Sequence, residues 1–351
     1  MTGRTTLAVH ISRLVDWSPQ GRITLRTLAA AAVGVSGPVL LGLAVGRPGL
    51  GLSIGLGALF LSGTAETGDA PRWRAAASSF TLALAAVAAA LGITASPAPE
   101  AALIGLALLA ALVSGFSRPV AAATLRLIIL TVLCATLLAA RTSHREVVGA
   151  IFVLGAGWNI LVRTVLSEPV PASGATPPAR RATLKQQWTH WRRGLVTLAG
   201  WQFPLRLAGG LAVACALRDA WPEHHFGWII LTTALLTQRP LERFPVRILQ
   251  RTVGTAAGVG LAWLLLSSHL DPRLAMGVIA GLVALATLAR MRSYLLYAIL
   301  STPVILLVMD FGRPVDPTLL QDRLIATAIG AALVLVGNQI MATLPARSQG
   351  A

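Results

Sequence analysis

The chain of 351 residues is 55% apolar and only 12% charged, and its mean hydropathy is +0.72. Soluble domains carry about 25% charged residues, so this composition excludes an ordinary soluble enzyme and indicates an all-α integral membrane protein with many spans. The formal charge of +16 would suit nucleic acid binding, but the basic residues cluster between apolar segments, where they set membrane topology instead.

The first half of the chain predicts a cytoplasmic N-terminal segment over residues 1–22 and a six-helix transmembrane repeat over residues 23–164. The segment is not a cleavable signal, because charges interrupt it and no small-residue cleavage site follows. Gly34, Gly37 and Pro38 interrupt the first span, where the proline removes a helical hydrogen bond and favours a kink. The six predicted spans cover residues 23–45, 50–63, 75–93, 101–115, 120–140 and 146–162.

A cytoplasmic linker is predicted over residues 165–202. Its first part is rich in Pro, Ser and Ala, which predicts an extended or disordered chain. Its second part is basic and contains Trp188, Trp191 and Trp201. This composition suits a helix at the membrane surface, and it suits a solvated linker helix equally well.

A second six-helix repeat is predicted over residues 203–344, followed by a cytoplasmic tail over residues 345–351. Its spans cover residues 205–217, 226–237, 252–267, 274–289, 294–309 and 324–343. With twelve spans and the N-terminus inside, the inner segments hold roughly three times as many basic residues as the outer ones, which is the expected signature of an N-in, C-in protein.

The two halves are predicted to be parallel copies at an offset of about 177–180 positions, since six spans per half give both the same orientation. Arg74 is followed by small and hydroxyl residues, as is Arg251, and Asn159 corresponds to Asn338. Such copies are related by a pseudo-two-fold axis along the membrane normal. The substrate pathway is expected between the two repeats.

The stretch over residues 238–266 combines four arginines with the start of a long apolar run. The arginines at positions 239, 243, 247 and 251 recur every four residues, so a helix would place them along one side. Arg251, Gly254, Thr255 and Gly258 continue that side into the apolar run. Small residues four apart let another helix approach closely in lipid, so a helix-packing motif is predicted here.

The tracts LTTALLTQRP (231–240) and RILQRTVGTAAGVG (247–260) resemble the Arg-x-x-Gly-Thr-x-x-Gly signature of the fusaric acid resistance protein-like (FUSC) family. The run DRLIATAIGAALVLVGN (322–338) is similar to that family's final span, and the resemblance covers roughly residues 203–343. It implies likeness to aromatic acid exporters and, distantly, to aluminium-activated malate transporters, in which two six-span units enclose an anion pathway. This chain lacks the soluble domain of larger members between the halves.

Four arginines are candidates for binding an organic anion: Arg126, Arg74, Arg206 and Arg251. Arg126 lies inside the fifth predicted span, where a charge is costly and faces a cavity or a partner. It either binds a carboxylate through its guanidinium fork or extends to the nearby membrane surface. The other three are predicted at cytoplasmic helix ends, where they either attract anions or only set topology.

Asp219, Glu223, His224 and His225 follow the seventh span and form either a proton relay for antiport or an ordinary polar loop. Three aspartates, at positions 310, 316 and 322, are assigned to another outer loop. No predicted span then contains a buried carboxylate, which favours a channel over a proton-coupled carrier. Neither a His-x-x-x-His pair nor a cysteine pair is present, so no metal, cofactor or catalytic residue is predicted.

The sequence therefore predicts a multi-pass protein of the bacterial inner membrane that exports or conducts aromatic or other organic anions. Its partners are the anionic substrate and the lipid bilayer, with no nucleic acid, and a homodimer is compatible with this interpretation. A non-transporting membrane scaffold is the alternative. A membrane-embedded enzyme acting on lipid-linked substrates would need paired acids or a nucleophile in register, and none is found.

Overall fold

The computed structural model describes residues 24–61, 72–139, 144–166, 182–240, 246–268, 270–309 and 317–343. Within these ranges the chain is helical without any strand, which confirms the all-α prediction. The helices of the first half are α1 (Leu25–Ala31), a π-helix (Ala32–Ser36), α2 (Gly37–Ala44), α3 (Pro48–Leu61), α4 (Arg72–Ala95), α5 (Pro99–Val113), α6 (Arg118–Ala139) and α7 (Arg145–Leu166). Those that follow are α8 (Leu184–Leu195), α9 (Leu198–Ala220), α10 (Gly227–Leu236), α11 (Val246–Ser267), α12 (Pro272–Arg292), α13 (Tyr294–Met309) and α14 (Pro317–Thr343).

Six of the described helices are long and apolar enough to cross a membrane. They are Trp73–Ala95, Arg118–Ala139, Arg145–Leu166, Val246–Ser267, Arg273–Arg290 and Pro317–Thr343. Shorter apolar helices cover Ala32–Ala44, Pro48–Phe60, Pro99–Val113, Gly227–Leu236 and Tyr294–Leu307. Every predicted span overlaps a helix, and six of these helices meet the length of about 20 residues that a bilayer core requires.

The first predicted span contains a π-helix where Gly34, Gly37 and Pro38 interrupt the sequence. A π-helical turn widens the backbone and leaves carbonyl groups without their usual intrahelical partners. Side chains of α7 supply replacements, because Trp158 Nε1 donates to the Val33 carbonyl at 2.9 Å and Asn159 Nδ2 donates to the Gly34 carbonyl at 3.3 Å. The predicted interruption is thus held in place by neighbouring helices.

The described residues form two compact units, and each unit draws helices from both halves of the chain. The first unit lies within Met1–Leu84, His144–Pro169 and Pro245–Thr327. Its core packs α2 and α3 against α12 and α13, through side chains such as Val39, Leu59, Ile279 and Val304. The hydroxyl of Ser36 donates to the Ala280 carbonyl at 2.6 Å and joins the π-helix to α12.

The second unit lies within Ala85–Ser143, Val170–Phe244 and Ala328–Ala351. Here α9 packs against α5, α8 and α10, while α6 packs against α5 and α10. Gly330 of α14 meets the side chain of Thr232 in α10, where an added Cβ would lie 2.8 Å from the threonine Cβ. Small residues therefore allow close helix contacts in this unit, as they do in many membrane proteins.

Candidate functional site

The signature helix α11 packs closely on α13 of the same unit. A Cβ added to Gly254 would lie 2.6 Å from the Cβ of Ala298, and one added to Gly258 would lie 2.6 Å from the Ile299 carbonyl oxygen. Such distances are far below van der Waals contact, so only glycine fits at these two positions without a shift of α13. The structure places both glycines of the motif at this contact.

Arg251 lies in the second turn of α11, with only 3% of its surface exposed. Thr255, one turn further, is fully buried. Within the described part of the chain, the Nε of Arg251 and the hydroxyl of Thr255 have no hydrogen-bond partner. A buried guanidinium is costly unless it meets hydrogen-bond acceptors or a negative charge. Arg251, predicted at a cytoplasmic helix end, therefore lies near the start of α11 but is buried there.

A second buried arginine lies on α14, where the sequence predicted a loop. Arg323 is 1% exposed and Asp322 is 3% exposed. The assignment of Asp322 to an outer loop is therefore wrong, because α14 begins at Pro317, about two turns before the predicted span. Asp322 is a carboxylate buried in a helix of this unit, so the argument for a channel from the absence of such a group no longer holds.

Arg323 faces the same helices as the apolar residues one turn before it. Leu319 and Leu320 belong to a hydrophobic cluster with Val259 and Ala262 of α11 and with Leu306 of α13. Residues three and four positions apart share a helix face, so Arg323 extends this contact. Arg251 and Arg323 are thus buried on two helices, α11 and α14, that share this hydrophobic cluster.

We call Arg251, Asp322 and Arg323 the cationic cluster. These three are the described charged residues of the first unit that are buried, and together they carry one net positive charge. Like charges repel more strongly in a low-dielectric interior than in water, so a negatively charged ligand would lower the electrostatic energy of the cluster.

Comparison with known proteins supports the resemblance seen in the signature tracts. Residues 211–337 match the family described as "Fusaric acid resistance protein-like". A fusaric acid resistance protein-like domain spans these residues. It begins in α9, includes the signature helix and ends in α14, so it contains the whole cationic cluster. No curated protein and no solved structure matches the chain.

Arg206, another arginine predicted to bind an anion, is a buried residue of α9 in the second unit. Its Nε donates to the Gln202 carbonyl at 3.3 Å, and its Nη1 donates to the Asn338 side-chain oxygen. Its Nη2 donates to the carbonyls of Gln238 at 2.8 Å and Arg239 at 3.1 Å. The guanidinium thus joins α9 and α14 to the chain that follows α10, and it does not lie at a helix end.

The remaining arginine candidates lie at more open positions. Arg126 is half-buried in the third turn of α6, roughly 12 Å along the helix at 1.5 Å per residue. Arg74 is exposed near the start of α4, where its guanidinium lies 5.2 Å from the ring centre of Trp73. Anion binding by either residue stays a prediction.

The arginines at positions 239, 243, 247 and 251 do not follow a single helix. Arg239 lies outside any helix and donates to the Ser114 carbonyl at 2.6 Å, whereas Arg247 lies in α11 with its guanidinium 4.8 Å from the Tyr294 ring. Arg243 falls outside the described residues. Prolines at 240 and 245 explain the break, because proline lacks an amide donor and disfavours helix in the residue before it.

The predicted relay residues lie at the exposed connection between α9 and α10. Asp219 accepts hydrogen bonds from Arg218, which also bridges to Glu100 at the start of α5. The Nε2 of His224 lies 4.0 Å from Glu223 Oε1, and its ring stacks on that of Phe226 with 4.8 Å between the ring centres. A proton relay through this group stays a prediction.

Proposed function

We propose that this protein is a multi-pass transporter of the bacterial inner membrane, an exporter or channel for aromatic and other organic anions. The fusaric acid resistance protein-like domain and the long apolar helices suggest a transport-related membrane protein. The observation that carries the choice of anions is the cationic cluster, in which two arginines and one carboxylate are the buried charged residues of the described part of the first unit.

The chemistry of the cluster suits an aromatic carboxylate. A guanidinium presents parallel N–H donors that match both oxygens of a carboxylate, and its flat face stacks on aromatic rings. A charge buried in a membrane protein is costly and faces a partner or a polar cavity. We propose that the anion passes Arg251 and Arg323 and offsets their mutual repulsion while it is bound.

We also propose that the two halves are repeats with twelve spans, oriented N-in and C-in. A pair of matching helix contacts supports the repeat. In the first unit, Gly155 of α7 packs against the Ile54 carbonyl of α3. In the second unit, Gly330 of α14 packs against α10, where a Cβ added to the glycine would lie 3.3 Å from the Ile229 carbonyl oxygen. The same sequence offset separates the two glycines and the two isoleucines.

Transport by the purified protein in liposomes tests this function. Vesicles loaded with benzoate, a hydroxybenzoate or a dicarboxylate should release at least one anion faster than empty-membrane controls. Arg251→Gln and Arg323→Gln should each slow release at low anion concentration by roughly tenfold to a hundredfold, since a hydrogen bond to a charged group contributes about 1.5–3 kcal/mol. The release rate of Arg126→Ala is measured in the same assay, because Arg126 lies within the predicted fifth span.

Arg273→Gln is the matched control, since Arg273 is exposed at the start of α12 and should tolerate loss of its charge. Arg251→Lys and Arg323→Lys keep the positive charge and separate a loss of folding from a loss of anion recognition. Wild-type protein that releases none of the anions, or glutamine variants that release them at the full rate, would contradict the proposal and favour a scaffold.

A further inference from the structure

Helix α8 is amphipathic, and its apolar face is partly uncovered. A capping box starts the helix, in which the Thr183 hydroxyl and the Gln186 side chain each pair with the other's backbone amide. Leu184, Trp188, Trp191 and Leu195 recur at a spacing that places them along one face. Leu184 is 75% exposed and Trp188 is 51% exposed. Among the described residues, the part of this face formed by Leu184 and Trp188 is therefore open, whereas Trp191 and Leu195 are half-buried.

The position of α8 on the second unit is set by Trp191. The indole Nε1 donates to the Leu112 carbonyl at the end of α5, at 2.9 Å. The Trp191 ring also meets Phe116 edge-on, with 6.4 Å between the ring centres, and its centre lies 5.0 Å from that of Trp188. Because Leu112 and Phe116 flank the turn between two apolar helices, α5 and α6, the helix α8 lies at the level where the chain leaves the apolar layer.

This end of the second unit is strongly basic. Five exposed cations lie on α8 and on the two chain segments beside it: Lys185, Arg192, Arg193, Arg118 and Arg239. Described residues 112–120, 182–200 and 236–240 contain no acidic residue. The opposite end of α5 carries Glu100, roughly 20 Å away at 1.5 Å per residue, and there Asp219 and Glu100 pair with Arg218.

We propose that α8 binds the anionic phospholipids of the cytoplasmic leaflet, with Leu184 and Trp188 inserted at the boundary between headgroups and acyl chains. Tryptophan is enriched at that depth, and basic amphipathic helices bind anionic membrane surfaces through both contributions. Lys185 and Arg192 lie along one edge of the apolar face on the helical wheel, so their side chains extend to headgroup phosphates while the indole of Trp188 is in contact with lipid. This binding is separate from the proposed transport function and does not depend on it.

The insertion of the apolar face is tested with an environment-sensitive nitrobenzoxadiazole label. Trp188→Cys and His190→Cys are labelled separately in the full chain, since both native cysteines are buried and should resist labelling. In nanodiscs with brominated acyl chains, the label at position 188 should be quenched at least twofold more than the label at position 190 on the polar face. Equal quenching at the two positions would overturn the proposal. Cross-linking that shows a second copy of the chain covering position 188 would overturn it as well.

The preference for anionic lipid is tested by native mass spectrometry in mixed phosphatidylglycerol and phosphatidylcholine. Each cation near an anionic membrane changes partitioning by roughly fivefold, so the variant K185Q/R192Q/R193Q should lose at least about tenfold of the phosphatidylglycerol preference. Arg47→Gln combined with Arg273→Gln removes exposed cations elsewhere and should leave the preference unchanged. A triple variant that retains the wild-type preference would show that α8 does not bind anionic lipid.

Discussion

Gly258 shows how one residue sets the distance between two membrane helices. An added Cβ would lie 2.6 Å from the Ile299 carbonyl and 2.7 Å from the Cβ of Thr302, and both neighbours belong to α13. Gly260, two positions later on the same helix, has nothing within 4 Å of an added Cβ. The two glycines lie close together on one helix, but only Gly258 is at a tight contact with another helix.

Gly258→Ala should lower the stability of the protein, because the new methyl group forces α11 and α13 apart. Overpacking of a close contact typically costs about 1–3 kcal/mol. Thermal unfolding in detergent, followed by intrinsic tryptophan fluorescence, should show a clearly lower midpoint for this variant. Gly260→Ala is the control and should unfold at or slightly above the wild-type temperature, since alanine favours helix over glycine. Equal midpoints for the two variants would contradict the close contact.

The hydrogen bonds of Arg206 indicate a structural role rather than a role in ligand binding. Its guanidinium donates to one side-chain oxygen and to carbonyls on the chain after α10. Carbonyls beyond the last turn of a helix lack intrahelical donors, and here the arginine supplies them. We therefore expect Arg206 to stabilise the end of α10, whereas Arg251 and Arg323 remain the better candidates for an anion.

At the scale of elements, the contact between Arg206 and Asn338 should couple α9 to α14. Arg206→Gln and Asn338→Leu should each destabilise the protein, while the double variant should cost less than their sum by about 1.5–3 kcal/mol. Chemical unfolding of the four proteins in detergent measures this coupling. Gln339→Leu is the matched control, because Gln339 is the exposed neighbour of Asn338. Strict additivity of the two substitutions would contradict the coupling.

Helix boundaries show where sequence patterns were informative at this scale. The interruption of the first span was predictable, because proline and glycine act on the local backbone. The sequence predicts the starts of α9 and α14 too late in the chain, and for α14 the reason is that the polar residues Asp322 and Arg323 precede the apolar run. They remain helical because protein groups, rather than lipid, enclose their polar atoms.

At the scale of the whole molecule, orientation is the property that the basic residues predict most directly. In the second unit, α8 and its cations lie at one end of α5, and the connection after α9 lies near the other end through the Arg218–Glu100 bridge. The positive-inside rule assigns the α8 end to the cytoplasm. Both ends can be labelled without touching the buried cysteines.

Thr189→Cys and His224→Cys should therefore react differently with a membrane-impermeant maleimide in intact cells. Both positions are exposed. Position 224 should be labelled in intact bacteria with a permeable outer membrane, whereas position 189 should be labelled only after the inner membrane is opened. The reverse pattern would invert the orientation, and labelling of both positions in intact cells would contradict a span between them.

Local sequence is enough to predict the class of the protein, the approximate positions of its apolar helices, the interruption near Gly34 and the signature tracts over residues 231–240 and 247–260. These features follow from local composition and backbone chemistry, which do not depend on distant residues. Long-range packing shows that Arg206 joins helices, that Asp322 lies within a helix and that Arg323 is buried. Burial and charge pairing depend on which helices meet, and residues far apart in the chain make that choice together.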